Sequence, residues 1–278
     1  MAYQYIQYQT GEGIGRVTLN RPEKLNALSR PLQDEFSAAV AEADADDQVH
    51  VIVVKGNGRA FSAGYDITPR QQSDEERKQM TIRRDIQNLR KTQSRWDALL
   101  NTSKPVVAQI HGYCLAGGTD LALHCDIIVA AEDATFGFPA VRAMGSPPTH
   151  MWTYLVGPQW AKYLIMTGNS VDGKTAERIG LVWKAVPASQ LEAEVESLAG
   201  TLAKIPTDLL VANKGIVNKA LDHMGRAMVE QLAAETDAVA HLAPAVEEFR
   251  RAAAERGLKS ALDQRDSPFR DYRGAAAK

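Results

Sequence analysis

In the stretch GYCLAGGTDLALHCD, residues 112 to 126, Asp120 stands three residues beyond Gly117 of a Gly-Gly pair, just where a helix begins. Glycine lets the backbone approach a ligand without a Cβ in the way, and a helix N-terminus presents unpaired N–H groups at a positive dipole end. Such a turn can hold an oxyanion. A carboxylate beside it can shuttle a proton if burial lifts its pKa towards neutrality. The first turn of a helix also favours a carboxylate through the macrodipole alone, so residue type and position leave acid-base work and simple capping both open. A second turn has the same design: AFSAGYDI, residues 60 to 67, follows an apolar run at 51–54 and puts Tyr65 directly after Gly64.

These turns need strands ahead of them. HVIVVKG and KPVVAQIHG are short β-branched runs suited to buried parallel strands, GGTDLALHC reads as a helix, and DIIVAAEDATFGFP as two more strands with a turn at Glu132 and Asp133. Upstream, YQYIQYQT and GRVTLN alternate around GEGIG, the pattern of a β-hairpin. A dinucleotide fingerprint requires a helix after the glycines, and strand-like residues follow here instead. Ser29 is a candidate N-cap and Pro31 suits the first turn of the helix LQDEFSAAVAEADAD. The charged stretch 73–100 reads as one long or broken helix. Alternating strands and helices predict an α/β fold with a parallel sheet, whose turns meet at the strands' carboxyl ends, where ligands bind. After about Pro187 only helical patterns remain, which divides the chain into an α/β core at 1–187 and a helical region at 188–278.

Composition narrows the class. Thirty-two basic against 34 acidic residues in 278 give a net charge of −2, with no cationic excess to recruit nucleic acid or an anionic membrane. No segment approaches the run of about 18 apolar residues that spans a membrane, and the N-terminus lacks a signal-peptide pattern, so the chain is read as cytoplasmic. Cys114 and Cys125 are small core residues in this reading, and HCD at 124–126 lacks a second cluster at zinc spacing, so no metal site is expected.

RPEKLNAL, GRAFSAGYDI, KPVVAQIHGYCLAGGTDLALHCDIIVAAEDATFGFP and TGNSVDGKTAERIGLVWKAVP together resemble the crotonase (enoyl-CoA hydratase/isomerase) superfamily. The likeness runs in order and spacing from about Ile6 to Pro187. It implies a crotonase-like spiral core of ββα repeats, with a helical C-terminal region for trimer assembly and site closure. It implies an acyl-CoA thioester as partner, coenzyme A entering as part of the substrate with no tightly bound cofactor, and a homotrimer or dimer of trimers. By motif position the thioester carbonyl sits between the backbone amides of Tyr65 and Gly117, and Asp120 fills the slot of a catalytic glutamate. Lys24, Leu25, Ala27, Ala63 and Ile67 then line the adenine and pantetheine path, Arg59 and Arg70 meet phosphates, and Asp66 holds the loop or the coenzyme. Phe269 or Arg270 reaches a neighbour's coenzyme site.

The pattern breaks at one place. Hydratases of this family carry a second glutamate directly after FGxP, and here FGFPA puts Ala140 there. Two carboxylates divide the labour of water addition, and alanine does neither part. Arg142 and His150 are the nearby substitutes, each with an ordinary packing or surface role as the plainer reading. The function read from the sequence is therefore an enoyl-CoA hydratase/isomerase-type enzyme that stabilises a thioester enolate. The alternatives are another crotonase reaction (hydrolase, decarboxylase or dehydratase) and a CoA-thioester-binding homologue with altered or lost catalysis.

Overall fold

The computed structural model describes residues 3–68 and 81–269. Arg70, Arg270 and the first part of the charged 73–100 stretch lie outside the described residues.

Alternation at the N-terminus produces the expected hairpin: β1 (Ile6–Gly11) and β2 (Ile14–Leu19) pair antiparallel across Glu12 and Gly13, both at positive φ. The chain then crosses through α1 (Arg30–Ala45), where the Ser29 hydroxyl accepts from Leu32 N, and returns as β3 (Val51–Gly56), parallel to β2. β5 (Val106–Ile110), β7 (Ile127–Ala131) and β10 (Lys184–Val186) extend the sheet in the order β1-β2-β3-β5-β7-β10, parallel apart from β1.

A second sheet was not legible as such. β4 (Ala60–Ser62), β6 (Tyr113–Leu115), β8 (Thr135–Gly137) and β9 (Ser170–Asp172) line up in that order, each only three residues long. β4 and β6 fall in segments whose composition reads as loop, because three residues are too few to display a period of two. Each long strand β3, β5 and β7 is followed at once by a short strand of the second sheet, and this doubling turns the chain into a spiral of repeats. α3 (Gly117–Ala122) leaves β6 directly.

α2 (Ile82–Leu100) lays Trp96, fully enclosed, edge-on against Phe36 of α1. The helices after the last strand are α6 (Leu191–Leu202), α7 (Thr207–His223), α8 (Arg226–Ala240), α9 (Pro244–Arg256) and α10 (Leu258–Asp266), following α4 (Trp152–Thr167) and α5 (Gly173–Arg178). Strands end where expected, but the core does not: Leu191, Val195 and Ala199 of α6 are buried in the same apolar cluster as the sheet. A smaller cluster joins Phe249, Ala252, Ala253 and Ala261 of the tail to Ile67 and Met144, drawing α9 and α10 over the second turn. Ile216 and Val217 of α7 and Met228, Leu232 and Val239 of α8 are exposed. Among the described residues no helix is long and apolar enough to cross a membrane.

Candidate active site

The turn carrying Tyr65 is anchored from below by Asn26, which is fully enclosed and, with Leu25, takes positive φ. Asn26 Oδ1 accepts from Arg21 N, its Nδ2 donates to Asn57 O and Ala60 O, and its carbonyl accepts from the Ser62 hydroxyl. That web ties the loop after the single 3-10 turn Pro22–Lys24 to β4. Leu28 then pairs with Tyr65 in a single parallel bridge, with Leu28 N donating to Gly64 O at 2.8 Å and Asp66 N to Leu28 O at 3.3 Å. Since a parallel bridge spends the groups flanking its central residue, the Tyr65 amide faces the other way.

The turn at Ala116, ahead of α3, is strained. Ala116 has φ 48 and ψ −122, a region costing a non-glycine residue about 1–3 kcal/mol. Four bonds hold it: Ala116 N donates to Gly137 O, and its carbonyl accepts from Thr119 N, Asp120 N and the Thr119 hydroxyl. The strain aims the start of α3 at the Tyr65 turn. A Cβ on Gly64, itself at φ 102, would lie 3.1 Å from Gly117 N, and a Cβ on Gly117 would lie 2.7 Å from the Tyr65 ring. Only glycine at both positions allows this approach. Among the described residues, neither Tyr65 N nor Gly117 N has a hydrogen-bond acceptor.

A cavity of about 950 Å³ opens beside the two turns. Lys24, Leu25, Ala27, Arg59, Ala63, Tyr65, Asp66 and Ile67 line it, together with Ala116, Phe138, Ala140, Met144 and, from α10, Leu258, Lys259 and Leu262. Burial works to raise the Asp66 pKa, but hydrogen bonds from Thr68 and Arg21 outweigh it and hold the carboxyl down at about 2. Asp66 is thus a fixed anion that braces the turn. Met151 and Trp152 belong to the core. Phe269 is not brought to this cavity; its ring stacks over the Arg142 guanidinium at 3.8 Å.

Asp120 departs from the expected placement. It is 1% exposed and absent from the cavity wall, with Tyr65 in between. Its Oδ2 accepts from the Tyr65 hydroxyl at 2.9 Å, its Oδ1 from the Thr149 hydroxyl at 2.7 Å, and the Tyr65 oxygen in turn accepts from Trp96 Nε1 at 3.1 Å. Burial pushes the Asp120 pKa up to about 7, against the downward pull of the Thr149 and Tyr65 hydrogen bonds. Burial, then the Asp120 charge, also drives the Tyr65 phenol well above its ordinary value, so it stays a neutral donor. Motif position assigns a chemical role only to the Tyr65 backbone. Trp96, Thr149 and the phenol itself were missed, because their meeting depends on helix packing that no local motif encodes.

The two substitutes near Ala140 do not reach the cavity. Arg142 donates to Thr167 O, Asn169 Oδ1 and Asp266 Oδ1, tying the turn after β8 to the end of α4 and to α10. His150, at φ 62, places Nδ1 3.3 Å from the Thr153 hydroxyl. Glu132 pairs with Lys174 at the far turn. Asp237 and His241 of the tail do line the cavity, and sequence reasoning missed them too, since an acid and a histidine in an amphipathic helix carry no local signal of function.

Behind Asp120 lies a buried ionic cluster. His124 Nδ1 is 2.6 Å from Asp120 O, and its Nε2 is 3.7 Å from Glu230 Oε1. The ligand atoms of Asp97, His124 and Glu230 fall within 4.8 Å of one another. Arg226 donates to Asp97 and Glu230 at 2.7 and 2.9 Å, so a guanidinium already supplies the positive charge that a cation would bring.

A spiral of ββα repeats, closed by helices over a cavity at the carboxyl ends of its strands, is the crotonase class of fold. Residues 9–272 match the family model for enoyl-CoA hydratase/isomerase, and the chain belongs to that family. A probable enoyl-CoA hydratase of Rhizobium meliloti is 35% identical over 226 residues, covering 80% of this chain and 84% of the relative. A probable enoyl-CoA hydratase of Mycobacterium bovis is 32% identical with the same coverage. The crystal structure of an enoyl-CoA hydratase from Mycobacterium smegmatis superimposes with a TM-score of 0.90 at 35% identity, covering 95% of this chain and 94% of that one.

Proposed function

We propose that this protein is a cytoplasmic enzyme acting on an acyl-CoA thioester by hydration or double-bond isomerisation. The observation that carries the proposal is the pair of amides, Tyr65 N and Gly117 N, without acceptors among the described residues where two turns are pressed together. A thioester carbonyl placed between them gains most when it becomes an enolate oxygen, and one such donor is worth about 3 kcal/mol in the transition state. Asp120, with its pKa near neutrality, is the proton source and sink, and the Tyr65 hydroxyl hands the proton across to the substrate's α carbon. Arg59 and Lys24 meet the coenzyme's phosphates at the rim. No bound cofactor enters this scheme. The exposed apolar residues of α7 and α8 support a homotrimer or dimer of trimers, in which that face is covered.

Ala140 in the cavity wall favours a second reading, a homologue that binds the thioester without turning it over. Incubation with butyryl-CoA in deuterium oxide separates the two. Enolate formation exchanges the α protons, and mass spectrometry is expected to show deuterium uptake at the α carbon. Tight binding with no uptake would establish the second reading instead.

A further inference from the structure

The cavity holds titratable groups that the scheme above leaves idle. Asp237 of α8 and His241 at its C-terminal end both line it. His241 Nδ1 lies 2.6 Å from Asp85 Oδ2 of α2, which makes Nδ1 the donor and leaves Nε2, in the neutral ring, as the basic nitrogen. That Nε2 is 3.5 Å from Asp237 Oδ1. Asp237 is 3% exposed; Oδ1 also accepts from Ser146 N at 2.7 Å, while Oδ2 has no partner among the described residues.

The position matters as much as the chemistry. Ser146 and Gly145 belong to the segment that begins at Ala140, with Met144 N bonded back to Ala140 O at 2.8 Å. A Cβ on Gly145 would collide with Asp237 Oδ1 and lie 3.0 Å from His241 Nε2. The loop that lacks a carboxylate is therefore packed directly against one supplied by the tail. Burial, opposed by His241 and by the Ser146 amide, sets the Asp237 pKa at about 6. The Asp85 hydrogen bond raises that of His241 against burial, with Asp237 adding to the rise and Arg250 of α9 opposing it. Asp237 in turn raises the pKa of Asp120, so the two carboxyl groups belong to one electrostatic site.

We propose that His241 and Asp237, with Asp85 positioning the imidazole, form the second acid-base group of this cavity, serving the acyl β carbon in place of a carboxylate at residue 140. The inference rests on the enolate reading above. In hydration, His241 Nε2 takes a proton from water as the water oxygen bonds to Cβ. The Cα=Cβ electron pair moves toward the carbonyl, giving the enolate held by the two amides. Cα then takes a proton from the Tyr65 hydroxyl, which is refilled from Asp120. One O–H bond of water and the Cα=Cβ π bond are broken, and one Cβ–O and one Cα–H bond are made. His241 passes its extra proton to solvent through Asp237, and Asp120 regains one from solvent.

The test compares crotonyl-CoA hydration with α-proton exchange of butyryl-CoA in deuterium oxide, in the full-length protein and in Asp237→Asn, His241→Gln and Asp85→Asn. Hydration kcat is expected to fall about 10²–10³-fold in the first two variants. KM is expected to stay within about twofold, and exchange within about threefold, of the parent. Asp85→Asn is expected to move the pH profile of hydration to lower pH, as replacing the charged acceptor by a neutral amide oxygen lowers the imidazole pKa; a merely structural Asp85 would leave the profile in place. Melting temperatures establish that each variant is folded, and the partly exposed His241 gives an independent position should Asp237→Asn not fold. Unchanged hydration kcat, a loss confined to KM, or a parent that exchanges α protons but does not hydrate would each overturn the proposal. A parent that does not exchange α protons at all would overturn the enolate reading, and this inference with it.

Discussion

Asp120→Asn is expected to lower turnover about 10²–10⁴-fold while leaving acyl-CoA affinity nearly unchanged, because general acid-base catalysis contributes on that scale and Asp120 does not line the binding cavity. Asn is nearly isosteric and still offers partners to the Tyr65 and Thr149 hydroxyls, which rotate to suit. Tyr65→Phe removes the other half of the same relay. Its loss should match that of Asp120→Asn, and the double variant should be little worse than either, the signature of residues acting as one unit. Additive losses, or turnover retained in Asp120→Asn, would remove the relay.

The same substitution has a stability signature. The folded Asp120 pKa of about 7 lies above the ordinary 3.8, so the folded protein binds this proton more tightly than the unfolded chain. The linked stabilisation is complete below about pH 4 and is lost as pH rises through 7. Asn does not titrate. The melting temperature of Asp120→Asn relative to the parent should therefore climb between pH 5 and pH 8, and a constant difference would contradict the placement of the carboxyl in a dry interior.

Arg226→Ala is expected to be the most damaging substitution to stability away from the apolar core. The guanidinium bonds Asp97 and Glu230 through Nη1 and Asp222 through Nε, and its side chain is 5% exposed. Glu230 is at least as enclosed, and burial raises its pKa. Removing the cation leaves that carboxylate uncompensated, a change that typically costs about 3–5 kcal/mol. The urea midpoint should drop accordingly. A loss below about 1 kcal/mol would mean that the cluster relaxes by taking up a proton or water. Since His124 links this cluster to the Asp120 carbonyl, the damage should reach the site as lower turnover at temperatures where the variant is still folded.

Much of the scaffold could be read from the residues alone because it rests on local periodicity and local caps. The hairpin, α1 with its Ser29 cap, and the buried runs of β3, β5 and β7 all announce themselves within a few residues. β4 and β6 do not, because their identity as strands comes from pairing with each other across the spiral. The same contrast governs the site. Gly64, Gly117 and the residues of the 24–28 and 63–67 segments follow from motif spacing, and the cavity wall contains them or their immediate neighbours. Motif position singles out Asp120, but its enclosure behind Tyr65 follows from Trp96 on α2 and Thr149 before α4. Asp85, Asp237 and His241 come together only because α8 packs along α2, a contact between distant parts of the chain that leaves no trace in either segment.

A crystal structure with acetoacetyl-CoA tests the central claim most directly. Two turns, one under strain at Ala116 and one held by Asn26, present the Tyr65 and Gly117 amides to a single oxygen in this account. The thioester oxygen should therefore lie within about 3 Å of both nitrogens, with the coenzyme running past Lys24 and Arg59. A thioester oxygen bonded to neither amide, with the ligand otherwise ordered in the cavity, would contradict it.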